Sequence, residues 1–148
     1  MLKNIIIIYI IMSKVLSSKD LIDDIYKDIQ CKLEKSDKKP ALAIIQVGDR
    51  LDSTTYINLK RKKCDKFNIN SFLYIYSSKI SIKEIIKKID ILNGYDNISG
   101  IIIQLPLPDN FTKEDEYQIL NSVDPKKDID GFHHHNMGNL MLNKSLSG

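Results

Sequence analysis

Ala41-Leu42-Ala43-Ile44-Ile45-Gln46-Val47 is the stretch that decides the fold, and Gly48-Asp49 ends it. A short apolar run of this kind is typical of a strand that is buried on both faces, and such strands belong to parallel sheets. Two further strands are predicted, over Ser71 to Tyr76 and over Ile98 to Gln104. Helical patterns separate the three runs. We therefore predict an α/β fold, a three-layer domain with a mainly parallel sheet flanked by helices.

The predicted helices are recognised by their capping residues. Ser81 with Glu84 and Thr112 with Asp115 have the capping-box spacing, and Gly94 supplies a stop for the helix that begins after Ser81.

Two earlier helices complete the pattern. Ser17 with Asp20 also has the capping-box spacing, and an apolar residue follows at every fourth position from Leu21 to Leu33. Ser53 or Thr54 is expected to cap the next helix, which should run to about Asn68.

Length and composition exclude several classes of protein. The chain has 148 residues, 43% hydrophobic and 28% charged, which fits one globular domain. A net charge of +3 is too small to predict nucleic-acid binding. Two cysteines form neither a disulfide framework nor a four-ligand zinc site, so we expect a reducing, cytoplasmic location. A mitochondrial or other organellar location is the alternative.

The amino terminus differs from the rest of the chain. Ile5 to Ile11 is an apolar run far shorter than the roughly 18–20 residues that span a bilayer, so we predict no membrane partner. Met12 itself resembles a second, more ordinary start, which favours residues 1–11 as an extension and residues 12–148 as the domain. A buried strand and a targeting segment remain alternatives for this run.

Polar loops follow the predicted strands. In parallel sheets the ligand lies beyond the carboxyl ends of the strands. We therefore expect the loops Gly48 to Ser53, Gln104 to Pro108 and Asp128 to Asn136 to meet at one edge.

Tyr56 and Lys60 are four residues apart near the start of the second predicted helix, so they share one face. Such a pair could stack on a planar ligand and deliver a proton. Alternatively, Tyr56 is an ordinary core-edge residue and Lys60 belongs to the basic run Lys60-Arg61-Lys62-Lys63, which helical spacing would spread into a solvated face.

Gln104 and the two aspartates of the last loop are the other candidates. Gln104 could cap the strand edge or orient a catalytic group, and prolines fix the backbone behind it. Asp128 and Asp130 could serve turn chemistry or pair with the donor edge of an amino-heterocycle. The adjacent histidines 133–135 cannot easily converge on one ion, so we predict no metal site.

Taken together, these motifs resemble the bifunctional methylenetetrahydrofolate dehydrogenase/cyclohydrolase family, in its amino-terminal, substrate-binding domain. The resemblance covers roughly Met12 to Leu140. Its matching pieces are Pro40-Ala41-Leu42-Ala43, Val47-Gly48-Asp49, Ser53-x-x-Tyr56-x-x-x-Lys60, Gly100-Ile101-Ile102-Ile103-Gln104-Leu105-Pro106-Leu107-Pro108, Lys127-Asp128-Ile129-Asp130-Gly131-Phe132-His133 and Asn136-x-Gly138-x-Leu140.

The resemblance implies a role for each matching residue. Lys60 is similar to the family's catalytic lysine, Gln104 to the amide that tunes it, and Tyr56 to the ring that stacks on the folate. Asp130 resembles the carboxylate that recognises the pterin edge. Ser53 and Pro106 correspond to further substrate contacts.

The family's activity and its cofactor follow from the same resemblance. The implied enzyme oxidises 5,10-methylenetetrahydrofolate to the methenyl form with NADP and hydrolyses the product to 10-formyltetrahydrofolate, in the one-carbon metabolism that feeds purine biosynthesis. A homodimer is implied as well. The sequence shows no Gly-rich strand–turn–helix for NADP, so we expect no cofactor site in this chain and an incomplete chain. A folate-binding or regulatory module without turnover is the alternative.

Overall fold

A computed structural model of the protein describes residues 18–142, apart from the side chain of Asp20. The chain divides into two compact units, Met1–Ser36 and Asp37–Gly148. The described part of the first unit is one helix, α1 (Lys19–Glu34), as the apolar repeat predicted. The predicted cap Ser17 and the segment 1–11 lie outside the described residues.

The second unit is an α/β domain built on a parallel sheet. Its elements are β1 (Ala41–Val47), α2 (Leu51–Lys66), β2 (Asn70–Tyr76), α3 (Ile82–Asn93), β3 (Gly100–Ile103), α4 (Lys113–Asn121) and α5 (His134–Met141). The strand order is β2-β1-β3, and β1 pairs in parallel with both neighbours. The predicted fold class is confirmed.

Alternate residues of β1 face two different layers of helix. On one face, Ala43 and Ile45 belong to a core cluster with Ile85 of α3 and Ile119 of α4. On the other face, three buried residues pack together, and they come from β1, α2 and β3: Ile44, Ile57 and Ile102. Full burial of one such isoleucine contributes about 1.5–3 kcal/mol. The double-sided apolar pattern of β1 thus produces the three layers.

Both later capping boxes form as predicted. Glu84 and Asp115 each have a lowered pKa, the first because the Ser81 hydroxyl donates to its carboxylate and the second because the Thr112 backbone N–H does so. Helix α3 ends at Asn93 with Gly94 as its C-cap.

The predicted cap of α2 is wrong. The helix begins at Leu51, with Arg50 at the N-cap position and no side-chain cap. Ser53 is only 4% exposed and lies within the first turn. The Thr54 hydroxyl donates instead to the carbonyl oxygen of Arg50, 3.1 Å away. Ser53 and Thr54 are therefore residues of the helix and not its cap. The loop after β1 ends at Arg50 and is shorter than the predicted loop, which extended to Ser53.

Three other boundaries differ from the sequence prediction. Helix α2 stops at Lys66, and Asn68 has a φ of +55°, a left-handed conformation that the helix cannot continue through. Strand β3 is shorter than predicted at its start, because the Ile98 N–H bonds to Tyr95 in a turn. Helix α5 begins within the segment predicted to be a loop. None of the helices in residues 18–142 is long and apolar enough to span a membrane.

Candidate active site

A hydrogen bond joins Lys60 on α2 to Gln104 after β3. The Lys60 Nζ donates to the Gln104 Oε1 at 3.3 Å. The Gln104 Nε2 donates to the Leu105 carbonyl oxygen at 2.7 Å, which turns the amide oxygen toward the lysine. The Gln104 side chain is buried, and its backbone N–H bonds to Ile45 of the central strand. The sheet therefore holds an acceptor in a fixed place beside the amine.

One face of α2 is turned toward the sheet and another is open. Ser53, Ile57 and Cys64 are buried at helical spacing, and Lys60 lies half-buried between the last two. Tyr56, one turn before Lys60, is 62% exposed. Its ring is thus available to a planar ligand. Lys60 lies past the middle of the helix, which corrects the expectation that the pair sits near the start.

The basic run Lys60-Arg61-Lys62-Lys63 contains one half-buried residue, Lys60, and three exposed ones. Arg61, Lys62 and Lys63 are exposed, whereas Lys60 is not. This confirms that helical spacing spreads the run around the axis.

Gln46 is a buried amide that the sequence interpretation missed. It is 3% exposed, lies on the α2 side of β1, and its Nε2 donates to the Thr54 Oγ1 at 3.2 Å. The register pairs Ile45 with Ile103, so Gln46 lies level with Gln104 on the neighbouring strand. Two amides thus lie near the carboxyl ends of adjacent strands, one on each. The available signal was a polar residue on the buried face of an apolar strand.

Of the three loops expected to meet at one edge, those after β1 and β3 lie against each other. Gly48 has a φ of +81°, and a Cβ added there would come within 3.2 Å of the Pro108 ring. Pro106 is exposed and follows a cis peptide bond from Leu105. It lies two residues after Gln104, at the same edge of the sheet.

At the start of α2, Arg50 and Asp52 form an exposed ion pair with N–O distances of 2.8 and 3.2 Å. The Arg50 guanidinium, together with the Ser53 N–H, lowers the pKa of Asp52 to about 2. The first turn of this helix therefore begins with a charge pair in which Asp52 is ionised.

The segment Lys127-Asp128-Ile129-Asp130 contains two charged side chains that bond within the domain and one that is exposed. The Lys127 Nζ donates to three carbonyl oxygens at the end of α3, at 2.7 to 3.2 Å. Asp128 accepts hydrogen bonds within the loop, which confirms the turn interpretation for this residue. Asp130 is exposed, and its carboxylate makes no hydrogen bond within residues 18–142.

The position of Asp130 follows from the strand beside it. Asp128 forms a parallel bridge with Ile101 of β3, and the Ile101 N–H bonds to Lys127 at 2.7 Å. Asp130 therefore lies two residues beyond a point fixed on β3, the strand that Gln104 follows. No hydrogen bond in the described chain joins Asp130 to Lys60.

The three histidines have different surroundings. His133 is buried and its ring nitrogen accepts the His135 N–H at 3.1 Å, capping α5. Burial, and His134 next to it, lower the pKa of His133. The His134 ring contacts Asn121. The described residues contain no group of three or more ligating side chains that could hold a metal ion.

The turns among the described residues differ from those of a dinucleotide-binding site. The turn between β1 and α2 has a single glycine and lacks the Gly-rich pattern that places a pyrophosphate at a helix amino terminus. The turn after β3 is fixed by prolines.

Comparison with known proteins identifies the family. Residues 16–130 match the catalytic domain of tetrahydrofolate dehydrogenase/cyclohydrolase. The chain is 40% identical over 121 residues to the bifunctional protein FolD 1 of Hydrogenovibrio crunogenus, covering 82% of this chain and 42% of that protein. The chain thus belongs to the tetrahydrofolate dehydrogenase/cyclohydrolase family, and it spans less than half the length of that relative.

Solved structures agree with this assignment. The FolD methylenetetrahydrofolate dehydrogenase/cyclohydrolase of Campylobacter jejuni is 37% identical, with a TM-score of 0.78, covering 86% of this chain and 45% of that one. A 5,10-methylenetetrahydrofolate dehydrogenase from the silkworm, Bombyx mori, has a TM-score of 0.82 at 29% identity, covering 91% of this chain and 47% of that one. The domain described above is the one these enzymes share with this chain.

Proposed function

We propose that this chain is the folate-binding, catalytic domain of an enzyme that oxidises 5,10-methylenetetrahydrofolate with NADP and hydrolyses the methenyl product to 10-formyltetrahydrofolate. The hydrogen bond between Lys60 and Gln104 is the observation that carries the proposal. It holds an amine at the carboxyl edge of a parallel sheet, where ligands of α/β domains bind. Family membership and the exposed ring of Tyr56 add support.

In the proposed hydrolysis, the chain provides proton transfer and orientation. Water adds to the one-carbon bridge of the methenyl substrate and loses a proton to Lys60. The bond from this carbon to N5 then breaks as the added hydroxyl forms the C=O of the formyl group on N10; Lys60 returns its proton to N5, and the hydroxyl proton is released to solvent. The net reaction consumes one water and releases one proton. Gln104 fixes the position of the amine throughout, which is the condition for efficient general acid–base catalysis.

Substrate orientation is assigned to two exposed side chains and their neighbours. Tyr56 stacks on the bicyclic ring, and Asp130 accepts hydrogen bonds from its amino-heterocycle edge. Ser53 and Pro106 line the same edge of the sheet. NADP supplies the hydride acceptor for the oxidation. The two cysteines, Cys31 and Cys64, are unpaired, which supports a reducing compartment such as the cytoplasm.

A folate-binding module without turnover is the second candidate. The observation that favours it is the exposure of Tyr56 and Asp130, since these two side chains alone could hold a ligand without turnover. Such a module would keep the Tyr56 and Asp130 contacts and would not need Lys60.

Binding and turnover by the 148-residue chain test the proposal. The chain is titrated with 5,10-methenyltetrahydrofolate by calorimetry, and hydrolysis is followed by the loss of methenyl absorbance. We expect binding and slow hydrolysis, with Tyr56→Ala weakening affinity about threefold to tenfold. Tyr117→Ala, which alters an exposed tyrosine on α4, is the matched control. Binding without hydrolysis would favour the module, and a folded chain that shows neither would refute the proposal.

A further inference from the structure

Asp128 is the centre of the loop that carries Asp130. Its carboxylate accepts the backbone N–H groups of Gly131, Phe132 and His133, at 3.1, 3.3 and 2.8 Å. It also accepts the side-chain amide of Asn136 at 3.0 Å. One carboxylate thus fixes three successive N–H groups immediately after Asp130.

Asn136 connects this loop to the body of the domain. It lies in the first turn of α5, is 1% exposed, and is the most buried polar side chain described. Its Nδ2 donates both to Asp128 and, at 2.8 Å, to the carbonyl oxygen of Pro125. The Asn136 amide therefore connects the backbone at Pro125 to the Asp128 carboxylate. A buried amide with charged and backbone partners is costly to replace, because each partner loses a donor.

The backbone around Asp130 is held on both sides. Before it, Asp128 is bridged to Ile101 of β3. After it, Gly131 has a φ of +72° and His133 begins the cap of α5. The Asp130 side chain has no hydrogen bond of its own within the described residues, so its direction is set by the backbone on either side.

We infer that Asn136 is a positioning residue of the folate site, acting through Asp128 to present Asp130 to the substrate. The inference rests on the proposed function and adds a residue to it. The ligand group concerned is an amino-heterocycle edge with N–H donors, for which a carboxylate is the complementary acceptor. Asn136 itself does not touch the substrate.

A double-mutant cycle separates positioning from general stability. The variants are Asn136→Ala, Asp130→Ala and the double variant, with Asn139→Ala on the same helix as the matched control. Affinity for 5,10-methenyltetrahydrofolate is measured by calorimetry, and kcat and KM by hydrolysis. All measurements are made well below the unfolding temperature of each variant. Asn136→Ser, which keeps a donor, replaces Asn136→Ala in the cycle if the alanine variant does not fold.

Positioning predicts a specific pattern of coupling. Asn136→Ala should raise Kd and KM about tenfold, less than Asp130→Ala, with kcat within about twofold. In the Asp130→Ala background it should have almost no further effect on Kd, because the group that it positions is gone. Asn139→Ala should leave Kd unchanged.

Two results would overturn the inference while leaving the proposed function intact. One is an Asn136→Ala variant that binds like the wild type. The other is a loss of affinity on Asn136→Ala that is equally large in the wild type and in the Asp130→Ala variant, because a purely structural residue would act independently of the Asp130 carboxylate. If the wild-type chain itself did not bind the methenyl compound, the proposed function would fail first.

Discussion

Replacing Asp128 by alanine should lower both stability and folate affinity, because Asp128 holds the loop that presents Asp130, whereas Asp130→Ala should lower affinity alone. Asp128 accepts hydrogen bonds from three backbone N–H groups and one buried amide. A hydrogen bond to a charged group contributes about 1.5–3 kcal/mol, and the half-buried site lets water replace part of the loss. We therefore expect Asp128→Ala to reduce the free energy of unfolding by about 3–5 kcal/mol.

Asp130→Ala should leave stability almost unchanged, because the exposed carboxylate has no hydrogen bond within residues 18–142. Its effect should fall on folate affinity, as a loss of roughly 10- to 150-fold. Asp128→Ala should lower the unfolding temperature by on the order of 10–20 °C.

Thermal denaturation followed by circular dichroism measures the stability, and calorimetric titration with 5,10-methenyltetrahydrofolate measures the affinity. Both single variants are compared with the wild type at a temperature at which all three are folded. Equal destabilisation by the two substitutions would refute the division of roles. So would an Asp130→Ala variant with unchanged affinity.

Two further predictions concern stability. His133 has a lowered pKa in the folded protein, so the unfolded chain binds a proton at this residue more readily than the folded one. The free energy of unfolding should therefore be highest above the unfolded pKa of about 6.5 and should decrease as the pH falls below it. Urea unfolding at pH 8 and pH 5 should show this loss, and His133→Asn, which can still cap α5 but does not titrate, should reduce it; an unchanged pH dependence would contradict the assignment. Ser81→Ala should cost about 1 kcal/mol by removing the cap of α3, whereas Ser78→Ala outside the helix should cost far less. Equal unfolding midpoints for these two variants would show that the cap contributes nothing.

The sheet could be predicted because its strands are specified locally. The double-sided apolar run of β1 requires helices on both faces, and Ser81 and Thr112 mark the starts of their helices with reciprocal hydrogen bonds. Helix α2 was placed correctly but its cap was not. Ser53 resembles a capping residue in sequence, and its burial against the sheet depends on contacts that no local pattern contains.

The candidate site was only partly accessible to sequence reasoning. The sequence points to both Lys60 and Gln104, but their hydrogen bond joins residues 44 positions apart and depends on the packing of α2 against the sheet. Asn136 was noted as part of a motif, and its burial between Asp128 and Pro125 could not be foreseen because α5 itself was not predicted. A helix of eight residues with two consecutive histidines at its start has little sequence signal.

Hydrolysis of 5,10-methenyltetrahydrofolate by a Lys60→Met variant tests the central claim most directly. Methionine keeps much of the lysine's volume and removes the amine that bonds to Gln104. Lys62→Met changes an exposed lysine on the same helix and serves as the control. We predict that Lys60→Met binds the substrate but does not hydrolyse it, while Lys62→Met hydrolyses it at the wild-type rate. A folded Lys60→Met variant that binds the methenyl substrate and hydrolyses it as fast as the wild type would contradict the account.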